Sequence, residues 1–371
     1  MNARSLIFGL VVGGAIANIS ATELTAAEKA GVIETIAGSG SPNDNGPTAP
    51  APAANINQPF GLEWGPDRAL YLCERGLHRI RRWDPQTNEV STYAGTGVEG
   101  FAGDGGPATA AKLSEPHELR FDRDGNLYWT DMKNHVIRRV ERSTGIISTF
   151  AGIGGEAGFS GDGGPATQAR LKQPHSLAFD VAGNLYIADI GNHRIRRVDA
   201  RSGMIETIAG TGEKQLPKDG ATAKTSPILG PRALFVAGDV MWIALREGHA
   251  VWKLDLKAGC LHHVAGTGEA GFAVGEGPAK QARFNSPKGI AVGPDGMVYV
   301  VDSSNHVLRK IDPTRGTISI VAGIPREPGF SGDGGPATQA HLNNLHGVCI
   351  AADGAIYIGD SDNNRVRRVS P

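Results

Sequence analysis

Six positions spaced 56 to 58 residues apart carry the side chains of this sequence most able to do chemistry: Phe60, His117, His175, Arg232, Lys288 and His346. Three neutral imidazoles brought to one point, His117, His175 and His346, could hold a divalent ion, zinc above all, with a fourth position open to water or substrate. Arg232 and Lys288 beside them could hold an anionic group or stabilise developing negative charge, the part of catalytic residues. A second series, Glu74, Asp131, Asp189, Leu245, Asp302 and Asp360, has the same spacing and is acidic at five of six places. With Phe60, these acids are candidate ligand-binding residues. Their repetition favours a structural duty, capping the tight turn that follows each of them.

What must position these residues is a repeat. An aromatic recurs at Tyr71, Tyr128, Tyr186, Trp242, Tyr299 and Tyr357, and an Ala-Gly pair begins at Ala37, Ala94, Ala151, Ala209, Ala265 and Ala322. A fixed period of this size signals a repeat architecture. One copy reads Ser176-Leu-Ala-Phe-Asp180, a turn at Gly183-Asn184, Leu185-Tyr-Ile-Ala-Asp189, then His193-Arg-Ile-Arg-Arg-Val-Asp199, a turn at Ser202-Gly203 and Met204-Ile-Glu-Thr-Ile-Ala209. Short alternating runs bounded by Gly, Asn and Asp predict an antiparallel four-stranded meander. Six of them make an all-β six-bladed β-propeller. The sixth copy stops after three strands, while Gly31-Val-Ile-Glu-Thr-Ile-Ala-Gly38 nearly duplicates the fourth strand at Gly203–Gly210. The N-terminal strand is therefore expected to complete the last blade and close the ring.

The copies also separate scaffold from site. Histidine at 78, 135, 193, 249 and 306, with Asn364 in the sixth copy, opens every third strand and reads as hydrogen-bonding scaffold. The arginine pairs Arg138-Arg139 and Arg196-Arg197 are expected to meet acids such as Glu141 and Asp199 or to face solvent. The loop Gly-Phe-x-Gly-Asp-Gly-Gly-Pro-Ala-Thr occurs three times, is altered at 271–280 and is lost at 210–231. Its prolines suit the first position of a short helix, and Asp104, Asp162 and Asp333 are expected to accept backbone N–H groups there. One carboxylate per loop is too few for calcium. The loop also lacks the Lys-Ser/Thr and following helix of a phosphate-binding P-loop. Blade four departs from the rest at Leu245, Trp242 and its loop, which drift of an unused blade explains as well as a substrate entrance.

The residues Asn184-Leu-Tyr-Ile-Ala-Asp189, Asn192-His193-Arg-Ile-Arg-Arg-Val-Asp199 and the Gly-Asp-Gly-Gly-Pro-Ala-Thr connections resemble the NHL-repeat propellers over residues 31 to 371. That resemblance implies the fold and leaves function open, since the family spans RNA-binding, sensor, adhesion and lyase members. The secreted peptidyl-hydroxyglycine amidating lyases look like relatives. Resemblance to them implies zinc ligation by a histidine in a Pro-His-x-Leu setting, matched by Pro116-His117-Glu-Leu119 and Pro174-His175-Ser-Leu177. Leu345-His346-Gly-Val348 lacks the proline. The spacing departs too, because those ligands sit on alternate blades and these on blades two, three and six.

Glycine at 52 and proline at 22 of 371 residues mark a chain that turns often, and 40% hydrophobic content still permits a core. Lys plus Arg, 37, balances Asp plus Glu, 38, so no bulk positive field favours a nucleic acid. An apolar run from Leu6 to Ala17 resembles a secretory signal, with small residues ending at Ala17 or Ala21, and is too short to span a bilayer. The expected organisation is a signal peptide at 1–21, a leader at 22–30 and one propeller domain at 31–371. The product is a secreted or periplasmic monomer without membrane span or nucleic-acid partner. Cys73, Cys260 and Cys349 read as buried small hydrophobes, with one bridge open. The favoured function is binding of a small molecule, glycan or protein around the pore on the top face; the alternative is a metal-dependent lyase or hydrolase.

Overall fold

A computed structural model describes residues 31 to 371; the expected signal and leader lie outside them. Six antiparallel sheets follow one another along the chain. Blade three shows the plan: Pro174–Phe179 innermost, then Leu185–Asp189, Arg194–Val198 and Met204–Ala209. Ile33–Ala37 pairs with the last strand, Arg365–Val369, so the ring closes at the seam as the sequence predicts.

The blades hold more than four strands where the incoming connection lies along the outer edge. Thr48–Pro50, Gly164–Pro165 and Gly277–Pro278 each add a short fifth strand to blades one, three and five. Single bridges Pro107 to Ile146, Thr222 to Cys260 and Val32 to Pro336 do the same for the other three. No blade is left with a bare outer edge, which is how sheet proteins avoid edge-to-edge association. The helix expected after each loop proline is only a three-residue 3-10 turn, such as Ala108–Ala110, and Pro107 stands before it rather than in its first position. The connection at 210–231 keeps the backbone plan although its motif is lost. Asp219 accepts His263 N–H as Asp104 accepts Thr149 N–H, and Ala223–Thr225 forms the same turn.

Apolar packing is organised between blades. Six buried clusters lie among the described residues, one at each boundary between neighbouring blades, including one across the seam with Ala37, Leu72, Tyr357 and Val366. Each fully buried Leu or Ile contributes about 1.5–3 kcal/mol, so each blade boundary is a cohesive joint in its own right.

The arginines need correction. Arg139 and Arg197 meet Glu141 and Asp199 as expected, but Arg138 and Arg196 are sealed from solvent. So are Arg81, Arg309 and Arg367 at the same place in other blades. Each lies 3.2–3.5 Å from the acid of its own blade: Glu74, Asp131, Asp189, Asp302 or Asp360. The loop acids Asp104, Asp162 and Asp333 serve mainly these guanidiniums, at 2.6–2.7 Å, because a buried cation needs counter-charge. In blade four both members change together, Leu245 for the acid and Trp252 for the arginine, which replaces a buried ion pair by apolar volume. The three cysteines are unpaired, and Cys260 is partly exposed rather than buried.

Candidate functional site

Each innermost strand begins with the same local device. The residue before the proline is left-handed, with φ of 48–60° at Gln58, Glu115, Gln173, Gly230, Ser286 and Asn344. In blades one to five the register then slips just after the proline, between Pro59 and Leu62, Pro116 and Leu119, Pro174 and Ser176, Pro231 and Ala233, and Pro287 and Ile290. Such a bulge re-aims a side chain. The re-aimed residues are Phe60, His117, His175, Arg232 and Lys288. Blade six lacks the proline, and its strand starts only at Val348, so His346 sits in the segment before the strand rather than at its start. There Gly347 lies so close to Phe60 that a Cβ would stand 2.0 Å from its carbonyl oxygen.

The scaffold histidines fix this device. Nδ1 of His78, His135, His193, His249 and His306 accepts the backbone N–H of the left-handed residue of the next blade at 3.0–3.3 Å. Asn364 Oδ1 does the same for Gln58 at 3.1 Å. The carbonyls of those left-handed residues then receive the site histidines: His117 Nδ1–H donates to Glu115 at 2.8 Å, His175 to Gln173 at 2.7 Å and His346 to Asn344 at 2.9 Å. A carbonyl only accepts, so Nδ1 carries the proton in all three rings and Nε2 keeps its lone pair.

These residues converge on a cavity of about 350 Å³ at the mouth of the pore. All six inner positions line it. Two further rings complete it and escape notice in the sequence: the left-handed residues Gln58, Glu115, Gln173 and Asn344, and the residues one place after the acidic ring, Arg75, Met132 and Arg246. Both sit at fixed offsets from positions the repeat already marks, which is the signal that could have found them. The acidic ring itself does not line the cavity. Its carboxylates are fully buried, and Asp131 shows their occupation: it accepts Ser114 N–H at 2.6 Å and the Asn134 amide at 2.9 Å. Burial pushes its carboxyl up to about 7.

The electrostatics are cationic. Arg232 is 2% exposed, and among the described residues it has neither an ion pair nor a hydrogen-bond partner for the buried Nη1. Burial pulls it down to about 10, so it stays charged at neutral pH. Lys288 donates to Asn344 Oδ1 at 3.0 Å and to His346 Nε2 at 2.8 Å; burial, with Arg232 and Arg246 nearby, brings it down to about 7. Burial and the same cations hold the three imidazoles well below their usual range, hence neutral. Of the flanking arginines, Arg75 is paired with Glu115 and Arg246 with Glu247.

The tautomers suit a metal, but the placement does not. Phe60 stands between His346, stacked at 3.6 Å, and His117, edge-on at 4.9 Å, while His117 and His175 adjoin at 4.6 Å. The lone pair of His346 is already taken by Lys288. Among the described residues, no three His, Cys, Asp or Glu groups come together as a metal site would need. A dication here would also face Arg232 and Lys288, and Glu115, the carboxylate that lines the cavity, is held by Arg75 and Lys133.

Comparison with known proteins agrees with the repeat. The NHL repeat model matches residues 284–311 and 342–369, in blades five and six, and the teneurin NHL domain model matches 153–228. The chain is similar to the Protein SUPPRESSOR OF QUENCHING 1, chloroplastic, of Arabidopsis thaliana, 28% identical over 74% of this chain and 26% of that protein. It is likewise similar to NHL repeat-containing protein 2 of Gallus gallus, 26% identical over 71% of this chain and 41% of that one. It thus spans well under half of either relative. An auxiliary nutrient binding protein from Bacteroides thetaiotaomicron shares the fold, with a TM-score of 0.66 at 17% identity over 91% of this chain and 75% of that one. Repeats, blade count and closure at the seam agree: this chain carries NHL repeats and folds as a six-bladed β-propeller.

Proposed function

We propose that this propeller is an exported receptor for a small anionic molecule, bound at the pore mouth. The observation that carries the reading is Arg232, a buried guanidinium that lines a cavity and among the described residues makes no ion pair, since the acids that act on it, Glu118 and Glu247, are paired with Arg120 and Arg246. A buried unpaired charge is costly, and a native chain keeps one where a ligand supplies the missing partner. A cavity of about 350 Å³ is of a size to admit a small molecule. Phe60 and the neutral imidazoles offer flat faces for the rest of the ligand, and Gln58, Gln173 and Asn344 offer polar contacts at the rim. Export rests on the apolar run from Leu6 to Ala17, and the likeness to a nutrient-binding propeller is in keeping with it.

The test is calorimetric titration of the purified chain at low salt with succinate, galacturonate and inorganic phosphate, with glucose as the neutral control. Binding of an anion, absent for glucose and weakened roughly tenfold or more by Arg232→Met, is expected. No anion binding would overturn the reading. So would about one zinc ion per chain, lost in each of His117→Ala, His175→Ala and His346→Ala, which would favour a metal-dependent lyase or hydrolase instead.

A further inference from the structure

Lys288 lines the pore-mouth cavity and is held by neutral partners. Among the described residues its ammonium has no carboxylate within ion-pair distance; its partners are Asn344 Oδ1 at 3.0 Å and His346 Nε2 at 2.8 Å. The nearest acid on that side, Asp362, is bound to the Asn344 amide at 2.9 Å. The His346 ring is held from behind, its Nδ1–H directed at Asn344 O, with Ser361 Oγ also at 3.1 Å. Ser361 Oγ donates in turn to Pro59 O at 2.6 Å. The Nε2 lone pair is therefore fixed on a lysine N–H. Once the ammonium has given its third proton to solvent in the cavity, the two N–H bonds of the neutral amine are directed to Asn344 Oδ1 and to the neutral His346 Nε2. The remaining tetrahedral direction, the nitrogen lone pair, is left for the cavity that Lys288 lines.

We propose that Lys288 captures a small carbonyl acid, of the 2-oxo acid class, as an imine while Arg232 holds its carboxylate. The idea rests on the anion reading above, since Arg232 must bind the acid end first. Burial and then the cationic surroundings bring the lysine to about 7, so a substantial share is unprotonated near neutral pH. The amine nitrogen attacks the carbonyl carbon, and the C=O electron pair moves to oxygen. His346 Nε2 removes a proton from nitrogen and returns one to oxygen, giving a carbinolamine. Loss of that hydroxyl as water, with the second nitrogen proton, leaves the C=N bond. One amine and one carbonyl thus yield one imine and one water, without oxidant or reductant. Neutral imidazole, kept so by burial and by Arg232 and Lys288, is the form this proton transfer requires.

The experiment treats the whole purified chain with pyruvate, glyoxylate or 2-oxoglutarate and sodium borohydride, which reduces an imine to a stable secondary amine. Intact mass and peptide mapping then locate the adduct. We expect one adduct per chain at Lys288, reduced roughly tenfold or more in Lys288→Met. Lactate, which has the carboxylate but no carbonyl, should bind in calorimetry, suppress labelling and leave no adduct. His346→Gln, which removes the proton-transfer base, should slow labelling and flatten its pH profile by a larger factor than it weakens lactate binding. Lactate binding without any oxo-acid adduct, or labelling that persists in Lys288→Met, overturns the imine and spares the anion site. Failure of lactate and every oxo acid to bind overturns the imine, and if succinate, galacturonate and phosphate fail as well it overturns the anion site too.

Discussion

The Nδ1 of His135 accepts the backbone N–H of Gln173 at 3.2 Å across the boundary between blades two and three. Gln173 O in turn receives the Nδ1–H of His175 at 2.7 Å. A histidine that repeats in five blades thereby sets the aim of one that does not. His135→Ala should lower stability by about 0.5–1.5 kcal/mol, the value of one such hydrogen bond. It should also weaken anion binding several-fold by loosening His175. His135→Asn should restore both, because Asn364 performs this duty at the seam from a left-handed φ of 55°. Thermal unfolding and calorimetry on the two variants check the claim.

The contrast between those histidines explains what the sequence could show. His78, His135 and His193 reveal themselves as scaffold by recurring, and recurrence also places Phe60, His117, His175, Arg232, Lys288 and His346 in one ring. Recurrence says nothing of depth. Arg138 and Arg139 are adjacent and identical in type, yet alternation along a strand buries one and exposes the other. Nor can spacing show that Phe60 is wedged between His346 and His117, which is what separates His346 from the other two imidazoles. Blade four misleads for a related reason: Leu245 reads as a lost acid until Trp252 is seen in the place of the arginine that acid would have paired with.

Arg232 should be a liability to the fold and an asset to binding. Its buried Nη1 has no partner among the described residues, and Arg232→Met removes that unsatisfied donor together with a desolvated charge. Stability should rise by about 1–3 kcal/mol, the desolvation cost of an unsatisfied polar group, while anion affinity falls. Urea unfolding of the free protein measures the first effect. A destabilised Arg232→Met would mean that the guanidinium is satisfied within the fold.

Lys288 predicts opposite pH slopes for the two modes of binding. Its pKa is held at about 7, below the ordinary 10.5, by burial and by neighbouring cations. A simple anion prefers the protonated lysine, so affinity for lactate should be greatest below pH 7 and fall above it. Labelling by an oxo acid needs the free amine and should rise over the same interval. Stability follows the depressed pKa: the lysine's charge is disfavoured in the fold, so its contribution is present above the unfolded value and is lost as pH falls through 7. Lys288→Met should accordingly stabilise the protein most at pH 5–6, relative to wild type.

Closure at the seam rests on Ile33–Ala37 against Arg365–Val369, with Ile33 fully buried in the cluster between blades five and six. Removing residues 31–37 leaves an unpaired strand edge and an open cluster, so the shortened chain should unfold or aggregate. Light scattering and circular dichroism decide this, and a folded monomer would refute single-ring closure.

The paired change in blade four can be transplanted. Asp189 and Arg196 are both sealed from solvent, 3.5 Å apart, with Asp162 as the second counter-charge at 2.7 Å. Asp189→Leu alone leaves Arg196 short of charge in the interior and abandons the Lys172 N–H that Asp189 accepts at 2.7 Å. A loss of about 3–5 kcal/mol is expected, as for other broken buried pairs. Asp189→Leu with Arg196→Trp reproduces the Leu245 and Trp252 arrangement and should recover more than half of that loss, because buried ion pairs and apolar replacements of similar volume are close in free energy. The unrecovered part should reflect the Lys172 N–H and the freed Asp162. A double variant no more stable than the single one would show that blade four depends on its neighbours for this exchange, and that the acid and arginine are not a separable unit.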